Sequence, residues 1–243
     1  MNTELHSVKM QEWFYEFTLP DGTKTNSYLP EFAKGIHITR EKALRNYLDS
    51  FGKELLTAMD VACHEGYYSV VLREYFEFVV GIDKNEISVN KARQVCALLD
   101  RSDISFVTGS VEELTGNQKA DFVLCFGLLY HVENPIQVLR KLSELTVKAI
   151  CIETQVLPYH TTGLIEDGSY LWQRDLNGMF GLCADYSGRA EGGLTDFALV
   201  PTRQALEFLL RQFGFETVKF YKPVADDYEQ FVRGHRVIVF AEK

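Results

Sequence analysis

The segment Asp60-Val61-Ala62-Cys63-His64-Glu65-Gly66 has the residue types of a ligand-cradling turn. Small side chains at 62, 63 and 66 let a ligand press against the backbone. Gly81-Ile82-Asp83 follows, and a carboxylate about 20 positions after a glycine-bearing turn can accept both hydroxyls of an adenosine ribose. A nicotinamide cofactor would want G-x-G-x-x-G, which is absent. His131 follows the apolar run Asp121–Phe126 and is the first candidate for a base or substrate ligand; otherwise it is a histidine hydrogen-bonded to loop backbone. His37 and His160 are weaker candidates. Further along, Tyr170, Trp172, Arg174, Asn177, Tyr186 and Arg189 supply the aromatic faces and donors of a substrate wall, or simply pack their own segment onto the protein. Arg174 and Arg189 suit a carboxylate or phosphate, or pairing with Asp175 and Glu191.

The elements that must position these groups alternate. Leu55–Val61 reads as a strand, Tyr67–Tyr75 as a helix, Phe78–Ile82 as a strand and Glu86–Leu99 as a helix. Ile104–Val107 and Asp121–Phe126 are further strands, and a helix starts at Pro135 behind an Asn134 cap. Ala149–Val156 is a fifth strand. That rhythm predicts parallel strands with right-handed crossovers, a doubly wound α/β sheet whose ligands sit beyond the strands' carboxyl ends. Ahead of it, residues 11–28 read as a hairpin, with Trp13, Tyr15, Phe17 and Leu19 alternating and Leu19-Pro20-Asp21-Gly22 as its turn. Its aromatics suit a satellite core better than a cap on the site. A helix follows from Thr39 to Ser50. Residues 157–200 break the rhythm and read as an irregular insert, the usual form of a binding loop. Thr202–Phe213 is an amphipathic helix, and Glu216–Tyr221 and Arg236–Glu242 close the chain as strands.

Composition narrows the function. The chain has 243 residues and a formal charge of −9, with 25 Lys and Arg against 34 Asp and Glu, so no global field draws it to nucleic acid. No apolar stretch is long enough to span a membrane, and no secretory signal is legible, which predicts a cytoplasmic protein. Five cysteines without C-x-x-C spacing argue against a disulfide framework and a zinc site.

Asp60-Val61-Ala62-Cys63-His64-Glu65-Gly66 resembles the D-x-G-x-G-x-G motif of class I S-adenosylmethionine-dependent methyltransferases, with Ala62 and His64 in place of two glycines. Val80-Gly81-Ile82-Asp83 resembles the family's second motif, Phe106–Leu114 its third with Ser110 where Asp is commoner, and Ala120–Pro135 its fourth. The resemblance covers residues 55–156 and implies a seven-stranded Rossmann-like methyltransferase sheet over 53–243, with residues 1–52 as an N-terminal hairpin and helix cap and 157–200 as a substrate-side insert. It implies S-adenosylmethionine as cofactor and S-adenosylhomocysteine as product. By the same resemblance Asp60, Ala62, Cys63 and Gly66 line the methionine part, Asp83 holds the ribose hydroxyls and Lys84 flanks the adenine. Ser110 and Val111 meet the adenine edge, and Cys125 and Phe126 lie under the sulfonium.

Within that family, Phe126–His131, Ile152-Glu153-Thr154, Pro201-Thr202 and Gly214-Phe215 resemble the tRNA wobble-uridine methyltransferase-like group. Its founding enzymes use carboxy-S-adenosylmethionine and read the extra carboxylate with Tyr, Arg and Lys. Tyr130 falls at the Tyr, Arg236 at the Arg, and Lys34 is a guess at the Lys. Many relatives of that group act on small molecules, so the expectation is methyl transfer to an oxygen or nitrogen of a small-molecule acceptor. The acceptor would be held by Tyr130, Tyr170, Trp172, Arg174 and Arg189, with His131 catalytic. The alternatives are a tRNA-modifying carboxymethyltransferase and a protein that binds the cofactor without turnover.

Overall fold

The computed structural model describes residues 3–51, 56–115, 118–166, 173–185 and 196–243. The expected insert residues Tyr170, Trp172, Tyr186 and Arg189 lie outside them.

The chain opens with helix α1 (Thr3–Met10), which buries only Val8 and so leaves little periodic signal in the sequence. Two-residue strands β1 (Glu12–Trp13) and β2 (Asn26–Ser27) pair in parallel. Between them the chain turns at Leu19–Gly22, where Gly22 takes φ 80° and donates to Leu19 O at 2.9 Å. The predicted hairpin over 11–28 holds from Phe17 to Thr25, where Thr18 bridges Lys24 antiparallel and Thr25 N–H donates to Phe17 O at 3.0 Å, and fails outside that span. The N–H groups of Phe14 and Tyr15 go instead to the buried Glu65 carboxylate, at 2.8 and 3.3 Å, so no returning strand receives them. Trp13, Tyr15, Phe17 and Leu19 do face inward, and they join the core of one sheet face. Helix α2 (Glu31–Ser50) begins eight residues before the expected Thr39, directly after Pro30.

The alternating unit follows: β3 (Thr57–Val61), α3 (Tyr67–Leu72), β4 (Phe78–Asp83), α4 (Glu86–Leu98), β5 (Ile104–Thr108), β6 (Ala120–Phe126), α5 (Pro135–Leu145) and β7 (Thr146–Gln155). Asn85 caps α4, and Asn134 caps α5 ahead of Pro135 at its first turn. The 157–200 segment is not wholly irregular. Its described part forms two ribbons, β8 (Gly163–Glu166) with β9 (Gln173–Leu176), and β10 (Phe180–Ala184) with β11 (Phe197–Pro201). Then come α6 (Arg203–Gln212), β12 (Thr217–Phe220), the short α7 (Glu229–Val232) and β13 (Arg236–Glu242).

The central sheet has seven strands in the order β12-β13-β7-β6-β3-β4-β5. Six strands run in one direction, and β13 runs against them between β7 and β12. Strand order reverses between β3 and β6, which places a ligand crevice beyond their carboxyl ends. One face is covered by α2, α3, α4 and the N-terminal segment, the other by α5 and α6. Among the described residues no helix is long and apolar enough to cross a membrane.

Candidate functional site

The loop after β3 is built around three left-handed residues, Ala62 (φ 61°), His64 (φ 50°) and Gly66 (φ 80°). Gly66 has a second reason to be glycine, since a Cβ there would meet the Phe106 ring at 2.8 Å and Ala92 at 3.0 Å. Ala62 and His64 have no such dispensation; a left-handed backbone costs an ordinary residue roughly 1–2 kcal/mol. The loop thus keeps a glycine backbone without two of the glycines. Asp83 holds it in place. Its carboxylate, half-buried at the end of β4, accepts the His64 N–H at 2.8 Å and the Asn85 N–H at 2.8 Å. Asp60, at the end of β3, is buried and accepts from Ser69 Oγ at 2.7 Å. Burial, reinforced by the nearby Asp83 charge, pushes its carboxyl up to about 7.

The other expected cofactor residues line the same edge. Lys84 is exposed beyond β4, and Ser110 caps the turn after β5, which carries the mostly buried Val111. Cys125 and Cys63 are buried side chains, and burial pushes both thiols up, so the chain presents their backbone here rather than a reactive sulfur. Phe126 meets the Tyr68 ring edge-on at 4.9 Å.

Beyond β6 a short turn carries Tyr130 and His131, their rings 4.2 Å apart. His131 Nδ1 lies 2.9 Å from Asp185 Oδ2 at the end of β10. Leu199 N–H donates to Val132 O at 3.3 Å, a second tie between the insert and this turn. Asp185 is a site residue that sequence reasoning missed, being 54 positions from its partner. Arg174 sits on the exposed β9, and His160 is exposed beside Gln204.

Under the same crevice lies a buried ion cluster. Glu153 on β7 is fully buried between Arg40 of α2 and Arg236 of β13; Arg236 Nη1 donates at 2.8 Å and Arg40 Nη2 is in contact. Burial alone would raise the Glu153 pKa, but the two arginines outweigh it and hold it below the ordinary range. Removing one member of such a cluster costs about 3–5 kcal/mol. Arg236 also lies over the Tyr130 ring at 4.7 Å, bringing together the expected Tyr and Arg. Lys34 is not with them: it pairs with Glu16 at 2.7 Å and with Glu31 near the surface. The cation that α2 sends inward is Arg40, two turns further on, whose burial no local pattern announces. His37, on the same helix, is pushed down to about 2, first by burial and then by Arg40, His64 and Arg236. It is a neutral imidazole.

A family described as a methyltransferase domain matches residues 53–178, just over half of the chain. The tRNA U34 carboxymethyltransferase of Ectopseudomonas mendocina is 28% identical over 197 residues, 76% of this chain and 54% of the relative. That of Colwellia psychrerythraea is 28% identical over 139 residues, 53% of this chain and 42% of the relative. The chain spans about half the length of the curated relatives it matches. Among solved structures, the N-terminal domain of EvdMO1, crystallised with SAH and D-fucose, aligns over 98% of this chain and 94% of that one, with TM-score 0.70 and 17% identity. An S-adenosylmethionine-dependent methyltransferase from Mesorhizobium loti aligns over 82% and 96%, with TM-score 0.59 and 18% identity. These two likenesses show a common fold.

Proposed function

This chain belongs to the methyltransferase-domain family, and from that premise we propose that it moves a methyl group from S-adenosylmethionine to an oxygen or nitrogen of a small-molecule acceptor, releasing S-adenosylhomocysteine. The observation that carries the reading is the loop at residues 60–66. Its three left-handed residues and its tie to Asp83 give the crevice a backbone-lined cradle with an acidic residue beside it. The residues present fit the cofactor. Asp83 suits the ribose hydroxyls, Phe126 lies at the end of β6 packed edge-on with Tyr68, and buried nitrogens of Arg40, His37 and His64 have no hydrogen-bond partner among the described residues.

When bound, the cofactor supplies a methyl group made electrophilic by its sulfonium. The protein's part is alignment, which can contribute roughly 7–11 kcal/mol at best, and removal of the acceptor's proton. His131 suits that second task. Asp185 engages Nδ1, which fixes the ring and leaves Nε2 to take a proton as the new bond to the methyl carbon forms. The acceptor would lie between that ring, Tyr130 and the insert carrying Arg174, with Tyr170, Trp172 and Arg189 proposed from sequence as the rest of the wall. A net charge of −9 favours a small acceptor over tRNA.

Calorimetric titration with S-adenosylhomocysteine tests the cofactor step. Micromolar binding that Asp83→Ala weakens supports it, and absence of binding overturns it. Release of S-adenosylhomocysteine from S-adenosylmethionine across a panel of hydroxyl and amine acceptors, sugars included, then tests turnover; binding without release on any acceptor would favour the non-catalytic alternative. A second reading, a carboxylated donor and a tRNA acceptor, is favoured by Arg236 stacked on Tyr130. Stronger binding of carboxy-S-adenosylmethionine than of the ordinary cofactor would select it.

A further inference from the structure

Three buried side-chain nitrogens beside the cofactor loop have no hydrogen-bond partner among the described residues: Arg40 Nε, His37 Nε2 and His64 Nδ1. They come from two elements, α2 and the loop after β3, and they share a neighbourhood. The rings of His37 and His64 pack against Phe14 at 5.0 and 5.1 Å, and against Tyr15 at 4.6 and 6.0 Å. Arg40 is 4% exposed. Its Nε can only donate. Tyr68 Oη lies 3.4 Å from His37 Nδ1, and in the tautomer where that hydroxyl donates, Nε2 carries the ring proton and is a donor too. His64 Nδ1 donates in one of its two tautomers.

The charges agree with the donors. Arg40 and Arg236 share one carboxylate, Glu153, which leaves the cluster one positive charge in surplus. The other buried carboxylates close by are committed elsewhere. Asp60 accepts from Ser69, and Glu65 holds Lys91 at 3.1 Å and the N–H groups of Phe14 and Tyr15. Buried donors and surplus charge shut away from water call for an acceptor that brings its own negative charge.

The backbone points the same way. A glycine at position 64 would take φ 50° without strain, and the family motif has glycine there; this chain has an imidazole held in that conformation. Strain of this kind persists where the surroundings enforce it, and it gathers at ligand sites.

We propose that Arg40, His37 and His64 form a receptor for one carboxylate, the amino-acid end of the cofactor. The inference rests on the cofactor reading above and adds which residues grip that end. The exchange of glycine for His64 is then the gain of a ligand contact, not the decay of a motif.

The test compares two ligands on the full chain by calorimetry. S-adenosylhomocysteine carries the carboxylate; 5′-methylthioadenosine keeps the nucleoside and thioether and lacks it. His64→Gly should weaken the first about tenfold and leave the second within about twofold. Arg40→Met, which leaves Glu153 paired with Arg236, should show the same selectivity. Should that variant fail to fold, His64→Gly still decides, because it relieves backbone strain; its thermal midpoint is checked in parallel. Equal loss of both ligands, or unchanged or tighter binding of S-adenosylhomocysteine by His64→Gly, overturns the receptor. If the wild type binds neither nucleoside, the cofactor reading itself has failed.

Discussion

Two additions sit at the same edge of the sheet, and they are built in opposite ways. The N-terminal segment sinks its apolar residues into the sheet's own core; Trp13 is 0% exposed, Phe17 3% and Leu19 2%. Its backbone donors are taken up by Glu65, the residue next to His64 in the cofactor loop. The insert leaves several apolar residues outside, with Leu182 73% exposed and Leu164 51%, and buries Ala198 and Val200 of β11. It is tied on at separate points, among them His131 with Asp185, Val132 with Leu199 and Leu157 with Pro201. Buried area and satisfied backbone groups make the first region part of the folding unit, whereas the described part of the second is held mainly by separate hydrogen bonds. A built-in segment on the cofactor side and an attached one on the acceptor side is the division of labour that the proposed reaction wants.

The largest test of that contrast is a pair of truncations. Trp13→Ala should cost about 3–5 kcal/mol, as a large buried side chain in a packed core does. Leu182→Ala should stay within about 0.5 kcal/mol. Urea midpoints at unchanged slope measure both. Similar losses in the two variants would break the distinction between a built-in segment and an attached one.

What the sequence let one read follows the same division. The strands from β3 to β7 were legible because parallel strands buried on both faces leave apolar runs, such as Asp121–Phe126 inside the observed Ala120–Phe126. The insert's ribbons were not, because short exposed strands carry no clear alternation. The hairpin's outer half failed for a non-local reason, a glutamate 50 positions from Tyr15 taking the N–H groups a partner strand would need. At the site, the motif loop, Asp83 and His131 were visible as residue types. Arg40 with Glu153, 113 positions apart, was visible to no window, and the left-handed backbone at Ala62 and His64 exists only in three dimensions.

Asp60 sharpens the picture of a cofactor side built at a cost. Its folded pKa, about 7 against an ordinary 3.8, means the folded protein binds this proton more tightly than the unfolded chain does. The sign is therefore that stability is full below about pH 3.8 and is lost as pH rises to about 7, by roughly 4 kcal/mol over the whole window. Asp60→Asn removes the titration, so its stability relative to wild type should improve between pH 4 and pH 8. A difference that does not change with pH would show that the buried carboxyl titrates normally.

The polar tie between Asp185 and the proposed base predicts the reverse pattern. Asp185→Asn should change stability by about 1 kcal/mol or less, since the pair is only partly buried. With an acceptor found by the screen, it should lower kcat about a hundredfold and leave KM nearly unchanged, because the imidazole loses its orientation and its charge partner. A fall in KM-dependent terms alone would assign Asp185 to acceptor binding, and an unaltered rate would remove His131 from the chemistry.

The smallest effect is expected where the cofactor side has strain but no polar atom. Ala62 sits at φ 61°, so Ala62→Gly relieves roughly 1–2 kcal/mol of left-handed strain. The same change frees the unfolded chain, which takes back about 0.4–1 kcal/mol. Net stability should move by about 1 kcal/mol or less, measured again by urea midpoint. Ala62 offers a methyl group and no donor, so the affinity for S-adenosylhomocysteine should stay within about twofold. The value of this near-silent variant is its position two residues from His64, on the same strained loop. If Ala62→Gly loosened the ligand as much as His64→Gly, the stiffness of the loop would account for both losses and the imidazole for neither. If it does not, the two replaced glycines are different in kind: one is a backbone substitution that the fold tolerates, and the other is a side chain that the site uses.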